Sequence, residues 1–248
     1  METDISPVYS KPFFELQLIF AQKMADLSQQ PFEQAVLEST AFYRILGLDW
    51  SFNPTHPVWQ EYIQGFQQAR DKVDFTYQFY LQRYDSIEKF SEEEHWGCFA
   101  YAYHPEHRMI HIHFSDEDRS IYGPLSRQRI DVRKAELRAM FQQILQRHPD
   151  VRVVQGGSWL YNWESYKRLF PQEFGQSAKK QARPGLSGRA IWGQFLRRGW
   201  KIHEETMAVF LQRVGQLERV EEYGGCFPYA VLLTVAPVEL FYEFYGLV

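Results

Sequence analysis

The pattern of apolar residues predicts an α+β protein. It reads as an N-terminal helical segment over residues 1–90, a small central sheet, mixed and mostly antiparallel, over 91–171, and flanking helices with a further strand over 187–248. Apolar residues recur every three to four positions up to residue 84, and from residue 96 the period drops to two. The length of 248 residues suits a single domain spanning 1–248, with those three segments as its possible subdivision.

In chain order, Phe13, Leu16, Phe20, Met24 and Leu27 form the stripe of a first helix. Pro31 suits the first turn of a second, with Ala35, Val36, Ser39, Tyr43 and Leu46 on one face and Gly47 as its stop. Thr55 is placed to cap a third bearing Trp59, Tyr62, Ile63 and Phe66, and Val73, Tyr77, Tyr80, Leu81 and Tyr84 mark a fourth. The alternation Phe99-Ala100-Tyr101-Ala102-Tyr103 and then Ile110, Ile112 and Phe114 against His111 and His113 predicts an antiparallel hairpin. Its turn is His104-Pro105-Glu106-His107-Arg108. After a loop over 116–126, Leu137, Met140, Phe141, Ile144 and Leu145 define a helix that ends at His148-Pro149-Asp150. Val151 to Gln155 reads as a short strand, followed by Gly156-Gly157 and a helix capped by Asn162, with Tyr166, Leu169 and Phe170 inside. The polar, basic stretch 172–186 reads as a long loop. Helices are expected over 187–198 and 203–217, a strand over 231–235, and a last helix from Pro237 carrying Phe241, Tyr242 and Tyr245.

Composition limits the function classes. Hydrophobic residues at 45% and charged residues at 23% describe an ordinary globular chain, and 17% aromatics supply a large burial area. Cys98 and Cys226 are too few for a disulfide framework or a cysteine-based zinc site. The first 14 residues lack the basic start and apolar run of a signal peptide, and no apolar run approaches the roughly 20 residues of a membrane helix. The sequence thus predicts a cytoplasmic protein with no membrane partner. A net charge of −4 argues against general nucleic-acid binding. The charge is uneven, however: 174–203 holds no acid but carries Lys179, Lys180, Arg183, Arg189, Arg197, Arg198 and Lys201. The sequence does not fix an oligomeric state.

Three places could carry chemistry. Five of eight histidines fall between 95 and 113, and His111 and His113, two apart on a strand, share a face. Such a pair can grip a divalent metal with His104, Glu106 or His107 completing the shell, or can stand on the wetter face of a half-buried sheet. Gly156-Gly157-Ser158 at a strand end lets a backbone approach a ligand closely, or marks a bulge. Arg119, Arg127, Arg129 and Arg133 precede or open a helix, where positive charge is slightly unfavourable, so they either converge on a bound phosphate or form a solvated face. Sequence patterns for dinucleotide loops, P-loops, serine-hydrolase elbows, H-E-x-x-H zinc sites and kinases are absent.

The order hairpin, basic loop, helix, strand, helix over residues 96–170 resembles the core of GNAT-type N-acyltransferases. The resemblance implies acetyl-CoA or another acyl-CoA as cofactor, with its pyrophosphate on Tyr122-Gly123-Pro124-Leu125-Ser126-Arg127. It therefore points to Gly123, Ser126, Arg127 and Arg129 as cofactor-binding residues, and to Asn162 as the family's asparagine at the start of its next helix. It also implies that the acyl-thioester lies beside a splayed pair of strands, 109–115 and 151–155. Pro124 stands where the family's loop offers an amide. Leu169 stands where the family often places a tyrosine acid, and Tyr161 and Tyr166 are the tyrosines nearby. The general base would be His111 or His113. The expectation is an acyl-CoA-dependent N-acyltransferase acting on a small molecule and binding an anionic ligand. The alternatives are a metal-dependent enzyme or metal binder built on His111 and His113, and a non-catalytic binding or assembly protein.

Overall fold

The computed structural model describes residues 9–84, 94–116, 118 and 120–248, the side chains of Arg189 and Arg198 excepted. Arg119 and the ends of the expected helical segment, 1–8 and 85–90, lie outside the described residues. The helices and strands run in the order α1 (Lys11–Ser28), α2 (Phe32–Ser39), α3 (Phe42–Ile45), α4 (Pro57–Gln68), α5 (Lys72–Arg83), β1 (Phe99–His104), β2 (Met109–Phe114), α6 (Ile130–Arg147) and β3 (Val153–Ser158). They continue with α7 (Glu164–Lys167), α8 (Gln172–Gln176), β4 (Lys179–Lys180), α9 (Arg189–Trp192), α10 (Glu204–Gly215), β5 (Leu232–Pro237) and α11 (Val238–Phe244). The fold is α+β, and the chain divides into two compact units: Met1–Phe90 with Ala182–Pro228, and Ser91–Gln181 with Tyr229–Val248.

In the first unit α1 exposes one stripe, Glu15, Ile19, Gln22 and Asp26, and buries Phe13, Phe14, Leu16, Leu18, Phe20 and Ala21 on the rest of its surface. Around Phe20 the rings of Trp192, Phe210 and Phe227 pack at 5.6–5.7 Å between centroids. The single helix expected between Pro31 and Gly47 is broken at Thr40. The Thr40 hydroxyl donates back to the Val36 carbonyl, and the freed Ala41 N–H donates at 2.8 Å to Oε1 of the fully buried Gln17. Gly47, with φ 81°, follows α3 where a stop was expected. At α4 the cap is His56, whose Nδ1 accepts from Val58 N–H at 3.3 Å, rather than Thr55.

The second unit is built on a five-stranded mixed sheet in the order β1-β2-β3-β5-β4. β1 and β2 form the expected antiparallel hairpin, in register from Phe99–Phe114 to His104–Met109. Its turn closes on Arg108 in the left-handed region, with φ 47°. β2 and β3 are parallel, because α6 carries the chain back between them. Ile110, Ile112, Val154 and Ala236 line one face of the sheet, and Leu137, Met140, Phe141 and Ile144 of α6 join them in the same core. Phe141 stacks on Phe241 of α11 at 4.8 Å. β5 and α11, grouped with 187–228 in the sequence reading, belong here because β5 is hydrogen-bonded between β3 and β4. The stretch 172–186, expected as a loop, contains α8 and β4. The helix expected over 187–198 reduces to α9 and short 3₁₀ turns. No helix among the described residues is long and apolar enough to cross a membrane.

Candidate functional site

β3 runs to Ser158, not Gln155, so Gly156 and Gly157 lie inside the strand. The parallel ladder between β2 and β3 nevertheless ends at Ile112–Gly156. Each strand continues two residues further on its other side, β2 to Phe114 against β1 and β3 to Ser158 against β5. His113-Phe114 and Gly157-Ser158 therefore face one another without pairing, and the sheet has an internal gap open toward the strands' C-terminal ends. Backbone amides and carbonyls left unpaired in such a place are strong hydrogen-bonding groups that a ligand chain can satisfy.

His111 and His113 stand at this gap on the face away from the packed core, with ring centroids 5.0 Å apart. Opposite them on β1 are Ala102 and Ala100 in register, so their side chains meet little bulk there. Gln155 lies beside His111 across the parallel ladder, and His111 Nδ1 is 3.3 Å from its Oε1. Because Oε1 can only accept, Nδ1 carries the proton and Nε2 is the basic nitrogen. A Cβ on Gly157 would lie 3.4 Å from His111 Cε1 and 3.6 Å from Nε2, so that edge of the imidazole is directed at the point where β3 leaves β2. His113 is exposed, yet desolvation lowers its pKa below the ordinary histidine value, helped by His104 and His95. At neutral pH it is therefore an uncharged imidazole able to accept a proton.

The loop following β2 carries the residues expected to hold phosphate. Gly123 is exposed, its carbonyl accepts from Ser126 N–H at 3.0 Å, and Arg127 is exposed where the 3₁₀ turn before α6 begins. Among the described residues the Ser126 hydroxyl and the Ser115 hydroxyl just after β2 are buried without a hydrogen-bond partner. Arg129 is otherwise engaged: its Nε donates to Asp118 Oδ2 at 2.6 Å. The same oxygen lies 3.2 Å from Arg133, which also holds Glu136 at 2.7 Å. Asp118 is thus an internal anion at the head of α6, matching the charge deficit that the arginines imply. Desolvation works against its charge, but Ser120 N–H and Arg129 hold its carboxyl below the usual range.

Tyr161 and Tyr166 border the gap from its core side, the Tyr161 hydroxyl against Gly156 and the Tyr166 ring 5.5 Å from that of Phe114. Both are buried in the core, on the face opposite the histidines, among Phe170 and Phe174. Burial raises both hydroxyl pKa values well above normal. Asn162 is exposed and caps no helix. Its Nδ2 donates to the carbonyls of Trp159 at 2.6 Å and Ala230 at 2.8 Å, tying the turn after β3 to the approach of β5. Among the described residues no group of three His, Cys, Asp or Glu is placed to hold a metal ion. The sequence reading missed Gln155, Asp118 and Ser115. Gln155 was reachable only through the β2–β3 register, and Asp118 only through its fold back onto Arg129. No protein-family model, no curated protein and no solved structure matches the chain.

Proposed function

We propose that the sheet unit is an acyl-CoA-dependent N-acyltransferase whose acyl-thioester lies where β2 and β3 part. The observation that supports this best is the ladder that stops at Ile112–Gly156 while both strands run on. A gap between parallel strands offers unpaired backbone groups to the amides of an extended thioester arm and an N–H to its carbonyl oxygen. The acceptor amine attacks the thioester carbon, forming C–N and breaking C–S. His113, neutral at physiological pH, takes the amine proton, and the thiolate leaves to be protonated from solvent. His111, fixed by Gln155, borders the same gap. Arg127, exposed ahead of α6, meets phosphate, whereas Arg129 is committed to Asp118.

The melting temperature with and without millimolar acetyl-CoA tests the reading. Ligand at 100 times its Kd adds about 2.7 kcal/mol, a shift of roughly 5–10 °C for a chain of this size. Arg127→Ala should shrink that shift, and acyl transfer to a primary amine should then be detectable by mass spectrometry. An unchanged melting curve at saturating acetyl-CoA sinks the proposal.

A further inference from the structure

A second cleft in the sheet unit lies between α7 and α8, with Phe244 of α11 on one side. It holds about 390 Å³, within the ~300–1,000 Å³ typical of small-molecule sites. Glu164, Lys167, Arg168, Gln172 and Gln176 supply its polar lining, one carboxylate among two cations and two carboxamides. Arg168 is oriented by one hydrogen bond, NH2 to the Leu125 carbonyl at 2.8 Å. Its Nε is buried with no acceptor, and among the described residues no carboxylate pairs with it. Among the described residues Lys167 pairs with Glu164, whose carboxylate is 85% exposed and also borders the cleft, so an anion bound here takes the lysine from a weakly held surface partner. The Phe244 ring, 42% exposed, has Lys134 Nζ 5.3 Å from its centroid. Two cations against one exposed carboxylate, two carboxamides and an exposed ring thus converge on one cleft.

We infer that this cleft binds a small organic phosphate, its phosphate on Arg168 and Lys167 and its flat apolar part against Phe244. A guanidinium fork with a carbonyl on one nitrogen still has donors for a doubly charged oxyanion, and charge-assisted bonds of that kind are the strong ones. Gln172 and Gln176 can donate to further oxygens without adding charge. The inference does not depend on acyl transfer, since none of these residues borders the β2–β3 gap.

Calorimetric titration of the full chain with phenyl phosphate, and separately with inorganic phosphate, tests it. Phenyl phosphate should bind saturably and more tightly than inorganic phosphate. Arg168→Lys and Lys167→Gln should each weaken it by roughly tenfold. Phe244→Ala, at an exposed position, should weaken phenyl phosphate and leave inorganic phosphate unchanged. Arg127→Ala, on the loop after β2, should leave the part of phenyl phosphate binding that Phe244→Ala removes unchanged. Absence of saturable binding up to ~10 mM, affinity indifferent to both Lys167→Gln and Arg168→Lys, or loss of binding in Arg127→Ala would each overturn the inference.

Discussion

The two faces of the sheet's central strands share a backbone but meet different surroundings. On one face Ile110, Ile112 and Gly156 lie against a ring-packed core that includes Tyr161, Tyr166 and Phe170. On the other, one residue along, stand His111, His113, Gln155 and Gly157. Adjacent glycines serve opposite purposes. A Cβ on Gly156 would sit 2.0 Å from the Tyr161 hydroxyl and 2.9 Å from Thr234 Oγ1. A Cβ on Gly157 would meet Leu233 at 3.2 Å and the His111 ring at 3.4 Å. Strand alternation sorts these residues: packing falls to one parity and polar side chains to the other.

The largest effect should come from the packed face. Gly156→Ala drives a methyl into the Tyr161 ring, which is buried on all sides, and should destabilise the chain by about 3 kcal/mol. Chemical denaturation measures this, and adding Tyr161→Phe should recover part of the loss by removing the nearest atom. A Gly156→Ala protein as stable as the parent would mean that this face is not close-packed and that the contrast between faces is misplaced.

Next comes the open face, where the cost should fall on rate. His113→Gln keeps size and polarity and should leave stability within about 0.5 kcal/mol, since the position is exposed. Acyl transfer, measured at saturating acetyl-CoA, should drop about 100-fold if His113 is the base. The pH profile carries the sign. Desolvation depresses the His113 pKa in the folded chain, so the neutral form persists below the ordinary histidine value, and activity should be lost only as pH falls under about 6.5. Any stability tied to this group has the same direction: it is present above the unfolded pKa and is lost as pH falls through the lower folded one. A rate that instead rises on acidification would assign the proton step elsewhere.

How far this contrast was legible beforehand follows from where its parts lie along the chain. The hairpin and the shared face of His111 and His113 came from alternation within 20 residues, and α6 from its own stripe, because such patterns are local. The pairing of β3 with β2 on one side and β5 on the other joins residues some 40 to 80 positions apart, and nothing in either strand encodes a register. The early end of the ladder and the Gln155–His111 contact were therefore invisible. Tyr161 and Tyr166 enter only through the resemblance, as the tyrosines nearest Leu169, and their burial in the core is a long-range outcome that no local pattern reports. The arginines ahead of α6 left a bound anion and a solvated face open, and the sequence could not say that the chain itself sets Asp118 against Arg129 and Arg133.

The smallest effect should come from the second glycine, and it separates the two faces most sharply. Gly157→Ala places a methyl in ordinary contact with the His111 imidazole and in tight contact with only the end of the Leu233 side chain. Leu233 lies near the sheet's β4 edge and can shift by a few tenths of an ångström, so stability should change by less than about 1 kcal/mol. The backbone does not oppose the change, since Gly157 does not occupy the left-handed region. What the methyl alters is the mouth of the gap: it crowds the Nε2 edge of His111 and narrows the space between the parting strands. The melting shift produced by acetyl-CoA should therefore shrink while the ligand-free melting temperature stays nearly constant. If the ligand-free protein instead loses as much as Gly156→Ala, the second glycine serves packing like the first, and the open face has no separate role.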